Sequence, residues 1–334
     1  MSKLKLAVIY GGRSGEHEVS LESARSVLAA LDTAKYEVMP IKIAKNGQWE
    51  TDLVLKGDPT WQPGFDLAFP VLHGPYGEDG TIQGLLELAG IPYVGAGVLA
   101  SAAAMDKSVM RTLFAAAGLP LMPWVTVFQH NWVENPRDVQ AEIEKHLEYP
   151  LFVKPANLGS SVGISRVESS RELDRAIALA LEFDRKLVIE EGVLNAREIE
   201  CSVLGHNYPQ SSVLGEIVPA GEFYDYEAKY QSEDSRLIIP APLEADLTKE
   251  IQSLARRAFQ AVDCSGMGRV DFLLDAAGRV YVNEINTLPG FTEISMYPKL
   301  WEASGLSYTE LLDRLIEFAL EKHEERQRLK TSLF

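Results

Sequence analysis

Apolar and polar positions in residues 1–96 alternate between strand-like and helix-like segments. A continuous apolar run, LKLAVIY at residues 4–10, is typical of a strand that is buried on both faces of a parallel sheet. The glycine-rich turn GGRSG follows it. The elements predicted next are a helix over 16–31, strands near 36–43 and 67–71, and a helix over 81–89. This order predicts an open α/β unit, whose ligands bind at the carboxyl ends of the strands.

Residues 97–334 carry a different pattern, in which short strands lie between helices. A helix over 105–117 ends at Gly118, with Pro120 beyond it. The other predicted elements are strands at 151–154, 163–167 and 187–191, helices over 171–182 and 247–262, and a terminal helix over 308–330. The terminal helix is amphipathic and rich in charges, so we expect a solvated cap on its domain.

A hairpin is predicted at residues 268–285, where two strand patterns are joined by the turn DAAG. Side chains alternate between the faces of a strand, so Arg269, Asp271, Glu284 and Asn286 point to one side. Two carboxylates and an amide oxygen are hard ligands of the kind that Mg²⁺ uses when nucleotide phosphates complete its shell. The alternative is a plain ion-pair cluster of the arginine with the carboxylates.

The expected register of this hairpin pairs Leu274 with Arg279. Arg269 then lies opposite Glu284, and Asp271 lies one diagonal step away, at roughly 7–8 Å. The same register directs a second set of side chains to the core: Val270, Phe272, Leu274, Tyr281 and Ile285.

Composition and charge exclude several classes of protein. The chain has 334 residues, of which 46% are hydrophobic, enough for two or three domains with ample cores. A formal net charge of −16 argues against general binding to nucleic acid, which requires a basic surface, but it leaves room for a local anion site. No apolar run reaches about 18 residues and the start lacks signal-peptide features, so we expect neither a membrane span nor export. Cys201 and Cys264 lack metal-ligand spacing, and reduced thiols in a cytoplasmic protein are expected.

A glycine- and serine-rich loop, residues 159–163, follows a predicted strand that carries Lys154. Successive backbone N–H groups of such a loop can face one anion, and a lysine adds a point charge for phosphate. The sequence contains neither a Walker A motif nor a GxGxxG motif. An ordinary hairpin explains the loop equally well. Lys107 is a second phosphate candidate, with an exposed surface lysine as the alternative.

Three further segments carry candidate binding residues. Glu190 to Val193 end an apolar strand and can present backbone groups to an adenine, with Glu198 near a ribose. Glu16 lies at the start of the first helix, where it either holds an ammonium group or complements the helix dipole. The loop at 222–236 is long and irregular, which is typical of a lid, although an exposed aromatic loop also suits a protein interface.

Seven motifs occur in an order that carries a family resemblance. They are GGRSGEHEVSL, HGPYGEDG, MDK, VKPANLGSSVGI, FYDYEAKY, GRVDF and NEINTLPGFT. With them the chain resembles the D-alanine–D-alanine ligases of the ATP-grasp superfamily, from residue 4 to about residue 298. The resemblance implies an α/β (α+β) ATP-grasp fold. An N-terminal open α/β substrate domain at 1–96 would precede a two-domain ATP clamp at 97–189 and 190–334, with the loop at 222–236 as its lid.

The resemblance also implies a role for each matching residue. Arg269 and Gly290 would stabilise oxyanions, while Glu16, Ser160 and Tyr230 would form a hydrogen-bonded set that couples the lid to the substrate. The implied magnesium ligands are Asp271, Glu284 and Asn286. The implied substrate contacts are His73, Ser295 and Met296. The implied nucleotide contacts are Lys107, Lys154, Ser161, Glu190, Glu191, Val193, Glu198 and Lys229.

The reaction that the resemblance implies joins two D-alanines through a D-alanyl phosphate and supplies a peptidoglycan precursor. It would use ATP and two Mg²⁺ (or Mn²⁺) ions. The partners would be D-alanine and ATP, with no nucleic acid and no membrane, and the expected assembly is a homodimer. Two alternatives stay open: an ATP-grasp ligase that joins a different amine, or D-lactate, to a carboxylate, and a non-catalytic relative that only binds nucleotide. The intact set of polar hairpin residues argues against the second.

Overall fold

The computed structural model of the protein describes residues 3–51, 63–218 and 236–330. The strands within these ranges are β1 (Leu4–Gly11), β2 (Tyr36–Ile43), β3 (Leu67–Val71), β4 (Trp124–Phe128), β5 (Leu151–Pro155), β6 (Ser165–Val167), β7 (Lys186–Glu191), β8 (Arg197–Gly205), β9 (Gln210–Val218), β10 (Arg236–Ile238), β11 (Gly266–Leu274) and β12 (Val280–Asn286). The helices are α1 (His17–Ala30), α2 (Thr81–Leu88), α3 (Val98–Met105), α4 (Lys107–Ala116), α5 (Gln129–Glu134), α6 (Pro136–His146), α7 (Ser170–Ala180), α8 (Ala245–Ala261), α9 (Met296–Ala303) and α10 (Tyr308–Gln327). The predicted lid lies outside the described residues, except for Arg236.

The first sheet contains three parallel strands in the order β2-β1-β3. Leu6 and Val8 of the central strand face one core, whereas Ala7 and Ile9 face another. Because β1 is buried on both faces, its residues form an unbroken apolar run in the sequence. The open α/β unit is thereby confirmed.

The terminal helix α10 packs its apolar face into a core that it shares with this sheet. Leu311, Leu312 and Leu315 are fully buried and belong to the same core as Leu6 and Val8. The outer face of the helix is exposed, as expected for a solvated cap on its domain. A buried apolar stripe with charged residues on the opposite side is the pattern of a helix at the surface of a domain.

Two antiparallel sheets follow, with strand orders β4-β7-β5-β6 and β10-β9-β8-β11-β12. Helix α7 packs Ile177 into a core with Ile189 of the four-stranded sheet. Helix α8 packs Phe259 into a core with Phe272 of the five-stranded sheet. Each sheet thus has a helical layer on one face. The domain boundaries after residues 96 and 189 stay predictions.

The helix expected over 105–117 corresponds to α4, which begins only at Lys107, and a separate helix that was not predicted, α3, ends at Met105 just before Asp106. This residue has φ −86° and ψ 99°, and its side chain accepts hydrogen bonds from the N–H groups of Ser108 and Val109. Aspartate is a favourable N-cap in this geometry, so a new helix begins at the next residue. Lys107 consequently lies at a helix N-terminus.

The register expected for the β11–β12 hairpin was wrong. Asp271 pairs with Glu284, Phe272 pairs with Val282, and Asn283 is left as the extra residue of a bulge. The bulge reverses the alternation in the first half of β12. Val282 is therefore buried, whereas Tyr281, which we expected in the core, is only partly buried.

Candidate active site

A cleft of about 510 Å³ lies between the loops that follow β1 and β3 and the polar face of β8, β11 and β12. The start of α4 and the segment before α9 complete its walls. The predicted site residues that line it are Glu16, His73, Lys107, Ser160, Glu198, Arg269, Asp271, Glu284, Asn286, Gly290, Ser295 and Met296. The fold therefore brings together residues from both ends of the chain.

Arg269 lies in a charged cluster on one wall of the cleft. Its Nε and Nη2 atoms donate to the two carboxylate oxygens of Asp271, both at 2.7 Å, and Nε lies 3.0 Å from an oxygen of Glu200. Burial opposes a charged guanidinium, but the carboxylates outweigh it and raise the pKa of Arg269. The ion-pair alternative thus describes part of this cluster, because Arg269 and Asp271 form a bidentate pair.

Glu200 is a member of this cluster that the sequence reasoning missed. It is buried on β8, directly opposite Asp271 of β11 in the register of the sheet. A signal was available, because Glu200 lies two residues after Glu198 on the same strand and therefore on the same face.

Lys107 reaches the cleft from the start of α4. Its Nζ donates to the carbonyl oxygen of Leu158 at 2.9 Å and lies 3.4 Å from Oε2 of Glu284. Only 13% of its side chain is exposed, so the surface-lysine alternative is wrong at this position. The lysine connects the loop that contains Gly159 and Ser160 to the β11–β12 hairpin.

A second charged cluster is buried beside the cleft, between α4, β5 and β7. Glu190 is ion-paired with both Arg111 and Lys154. Burial alone would raise the pKa of Glu190, but the two cations outweigh it and hold the pKa below its usual value. Arg111 was not predicted. In the sequence it is one basic residue on a helix, and its partner Glu190 is 79 positions away.

Glu16 lies where two glycine-containing loops approach each other. A Cβ atom on Gly74 would lie 3.2 Å from Oε2 of Glu16, and one on Gly159 would lie 3.5 Å from Oε1. Gly74 also has a φ of 74°, which residues with a side chain rarely adopt. The loops can thus close around the carboxylate without placing bulk beside it, which suits a small ammonium group.

His73 contacts a different polar group at each of its ring nitrogens. Nδ1 lies 3.5 Å from Oε1 of Glu78, and Nε2 lies 2.9 Å from the hydroxyl of Ser23. The same hydroxyl accepts a hydrogen bond of 3.2 Å from the backbone N–H of Phe291. Ser23 therefore connects His73 to the segment that contains Gly290. It was not predicted, because a serine on the buried face of α1 gives no signal in the sequence.

Gly290 packs closely against Ser295. A Cβ atom on Gly290 would lie 2.7 Å from the Ser295 hydroxyl, so a side chain there would displace the serine. That hydroxyl also accepts a hydrogen bond from the N–H of Thr292 at 3.0 Å. The turn places Gly290, Ser295 and Met296 together on one wall of the cleft.

Comparison with known proteins now identifies the family. The model of the D-Ala–D-Ala ligase N-terminus matches residues 5–63 and 55–96, and that of the C-terminus matches residues 113–317. The chain belongs to the D-alanine–D-alanine ligase family. It is 52% identical to such a ligase from Heliobacterium modesticaldum, with 99% of this chain and 98% of the relative covered. It is also 52% identical to one from Solibacter usitatus, with coverage of 97% and 98%.

Solved structures of D-Ala ligases have the same fold as this chain. The VanG D-Ala:D-Ser ligase from Enterococcus faecalis matches with a TM-score of 0.87 and 38% identity, covering 95% of this chain and 100% of that one. The D-alanine–D-alanine ligase from Coxiella burnetii matches with a TM-score of 0.86 and 38% identity, covering 98% and 97%. The predicted ATP-grasp fold is confirmed.

Some of the predicted residues of this family member lie away from the cleft walls. Those that the structure describes are Lys154, Ser161, Glu190, Glu191 and Val193. Lys154 and Glu190 belong to the buried cluster with Arg111. The carboxylate of Glu191 accepts a hydrogen bond from the N–H of Glu148 at 2.9 Å. Lys229 and Tyr230 lie outside the described residues.

Proposed function

We propose that the protein joins two D-alanines into D-alanyl-D-alanine for peptidoglycan synthesis, with conversion of ATP to ADP and phosphate. The convergence of Arg269, Asp271, Glu284 and Gly290 in one cleft carries this proposal. A protein that only bound nucleotide would not need groups that stabilise an oxyanion. Membership of the ligase family supports the same reaction.

The metal ligands in this proposal are Asp271, Glu284 and Asn286. Asp271 and Glu284 lie directly opposite each other on adjacent strands, so their carboxylates can approach the same ions. Among the residues that the structure describes, no group of three or more His, Cys, Asp or Glu side chains is placed to hold a metal. Two carboxylates and an amide suit Mg²⁺ (or Mn²⁺), which takes further ligands from water and substrate phosphates. Two such ions would offset negative charge on the phosphates.

The proposed reaction has two steps. A carboxylate oxygen of the first D-alanine attacks the γ-phosphorus of ATP, ADP leaves, and an acyl phosphate forms. The amine nitrogen of the second D-alanine then attacks the acyl carbon, phosphate leaves, and the nitrogen loses a proton. The first step is necessary because a free carboxylate could react only by expelling oxide, a very poor leaving group.

The residues of the cleft match the charges that these steps create. Arg269 has five N–H donors, of which Asp271 uses only part, so it can also face the oxyanion of the second step. With the N–H of Gly290 it would stabilise that oxyanion, a type of contact worth about 3–4 kcal/mol. Glu16 would hold the ammonium group of the first D-alanine, together with Ser160 and Tyr230.

Exclusion of water is the proposed task of the lid at 222–236. Water would otherwise hydrolyse the acyl phosphate before the second amine arrived. Lys107 and Lys154 would bind the phosphates of ATP, and the other predicted nucleotide contacts would bind the same molecule. These roles rest on the motifs of the family together with the positions of the two lysines beside Glu284 and Glu190.

The second substrate in this proposal is D-alanine, received near Ser295 and Met296. D-Serine and D-lactate are the competitors, since the VanG relative is a D-Ala:D-Ser ligase. Tyr230 would add no positive charge beside an incoming amine at neutral pH. Competition between D-alanine, D-serine and D-lactate at equal concentrations tests this choice, with products separated by chromatography. A predominance of D-Ala-D-lactate or D-Ala-D-Ser would contradict it.

Release of ADP that depends on D-alanine tests the proposal as a whole. We expect one D-alanyl-D-alanine for each ADP, and no ADP when D-alanine is omitted. A protein that binds ATP but forms no dipeptide would support the non-catalytic alternative instead. ADP formation with a different amine would support the alternative of an ATP-grasp ligase with another second substrate.

We also propose that the enzyme works in the cytoplasm, where ATP is supplied, and that it is a homodimer. In the described ranges no helix is long and apolar enough to cross a membrane. Both cysteines are free and buried, which suits a reducing compartment. The mass in solution, measured by light scattering, tests the dimer.

A further inference from the structure

Arg111 has no role in the reaction proposed above, yet its charge is buried. It is only 3% exposed and lies on α4, one turn after Lys107, so both cations project from the same side of the helix. Lys107 reaches the cleft, whereas Arg111 pairs with Glu190. Within the described part of the chain, the Nε and Nη1 atoms of Arg111 have no hydrogen-bond partner. The charge of Arg111 is therefore directed at Glu190.

Glu190 lies between Arg111 and Lys154, and the three side chains differ in exposure. Arg111 and Glu190 are 3% and 4% exposed, whereas Lys154 is 13% exposed. The antiparallel pairing of β5 with β7 places Lys154 and Glu190 on adjacent strands, and α4 closes the other side. Lys154 is thus the most exposed member of the cluster.

The charges of this cluster do not cancel. A pair of Lys154 with Glu190 would be neutral and would present little field to a phosphate. The guanidinium of Arg111 adds a second cation. The cluster therefore has one positive charge in surplus.

We infer that Arg111 is a positioning residue for the nucleotide, which neutralises Glu190 so that Lys154 keeps its positive charge for a nucleotide phosphate. This inference rests on the proposed function only in taking Lys154 as a phosphate contact. In the absence of Arg111, Glu190 would cancel the charge of Lys154 and would itself repel a phosphate. Removal of Glu190 at the same time would free the lysine again.

The test uses four variants: Arg111→Met, Arg111→Lys, Glu190→Gln and the double variant Arg111→Met with Glu190→Gln. Affinities for ADP and for adenosine are measured by calorimetry without D-alanine, and KM values for ATP and D-alanine are measured in the coupled assay. Adenosine is the matched control, because it has the base and the sugar but no phosphate.

We expect Arg111→Met to weaken ADP binding about tenfold or more, which corresponds to the loss of about one charge-assisted contact. The KM for ATP should rise in parallel, whereas adenosine affinity and the KM for D-alanine should stay within about twofold, since only the phosphate site loses charge. Arg111→Lys retains the charge and should bind ADP nearly as wild type does. The double variant should recover most of the lost ADP affinity.

Three results would overturn the inference: wild-type ADP affinity in Arg111→Met, equal loss of ADP and adenosine affinity, or a double variant no better than the single one. A purely structural role for Arg111 predicts the second and third results. If Arg111→Met does not fold, Glu190→Gln decides alone through the ratio of its ADP affinity to its adenosine affinity, which loss of the anion should leave equal or higher. A lower ratio in Glu190→Gln would then contradict the inference.

The binding measurements separate this inference from the proposed function. A wild-type protein that binds ADP but forms no dipeptide would refute the proposed reaction and leave the role of Arg111 to be judged from the variants. A wild-type protein that forms the dipeptide, with an Arg111→Met variant that binds ADP normally, would refute the role of Arg111 alone.

Discussion

The two charged clusters of the described structure carry opposite surpluses of charge. The buried cluster has two cations, Arg111 and Lys154, for one anion, Glu190. The cleft cluster has three anions for two cations: Glu200, Asp271 and Glu284 with Lys107 and Arg269. A positive surplus suits a phosphate, and a negative surplus suits a metal ion. The two neighbouring clusters therefore match a nucleotide that binds together with its metal ion.

The clusters also differ in how their charges are solvated. Arg111 and Glu190 are 3% and 4% exposed, whereas Lys107 and Glu284 of the cleft are 13% and 31% exposed. Removal of one partner from a buried pair leaves a charge without water, which is strongly destabilising. Partly solvated charges cost less to leave unpaired. We therefore expect the buried cluster to govern stability and nucleotide affinity, and the cleft cluster to govern turnover.

The largest expected effect is on turnover, in the cleft. Glu284→Gln removes the charge of one proposed metal ligand and should lower kcat about a thousandfold, while the fold is retained. Steady-state kinetics at low and high Mg²⁺ measure this, and Glu250→Gln on the exposed side of α8 is the matched control. Full activity of Glu284→Gln at low Mg²⁺ would remove this residue from the metal site.

The second prediction contrasts two cations of one helix. Arg111→Met should lower the free energy of unfolding by about 3 kcal/mol, because it leaves Glu190 less well compensated in a buried site. Lys107→Met, one turn away, should cost about 1 kcal/mol, because its pair is partly solvated. Urea unfolding followed by circular dichroism measures both. Equal losses would contradict the difference that we draw between the clusters.

The sequence predicted the open α/β unit and the hairpin from local signals, whereas most of the cleft residues were predicted from the motifs of the family. Alternating apolar positions mark strands, and polar residues two apart share a face. The terminal helix illustrates the limit of such signals. Its amphipathic pattern is visible in the sequence, but some residues that share its core, such as Leu6 and Val8, lie about 300 residues earlier in the chain.

What the sequence did not predict depends on contacts between distant segments. The bulge at Asn283 shifts the pairing of β12, and no residue type marks it. Arg111 and Ser23 look like ordinary helix residues until the fold brings Glu190 and Phe291 to them. Glu200 is an exception, since its spacing from Glu198 was a usable signal.

The third prediction concerns how the contribution of Glu190 to stability changes at low pH. The folded-state pKa of Glu190 is lowered, so its ion pairs stabilise the protein above the unfolded-state pKa, near 4.5, and this contribution is lost as the pH falls through the lower folded-state value. The difference in unfolding free energy between wild type and Glu190→Gln should therefore shrink below pH 4.5, by at most about 1.4 kcal/mol per pH unit. Urea titrations between pH 7 and 3 measure it. If the difference grew on acidification, it would contradict the lowered folded-state pKa of Glu190.

The smallest expected effect lies on the substrate side, where the hydroxyl of Ser23 joins His73 to the backbone of Phe291. If Nδ1 of His73 directs its proton at Glu78, Nε2 accepts the Ser23 hydroxyl proton, and the same hydroxyl accepts from Phe291 N–H. Ser23→Ala breaks both contacts and should reduce kcat/KM for D-alanine roughly fivefold, which corresponds to about 1 kcal/mol of lost transition-state stabilisation.

Ser23→Thr retains the hydroxyl and should recover most of the activity. ADP affinity should stay unchanged in both variants, because the two charged clusters do not include Ser23. Kinetics with saturating ATP and calorimetry with ADP measure the two quantities separately. If Ser23→Ala weakened ADP binding as much as it slowed the use of D-alanine, the substrate wall and the nucleotide cluster would be coupled through α1. The division of the site into a substrate half and a nucleotide half would then be wrong.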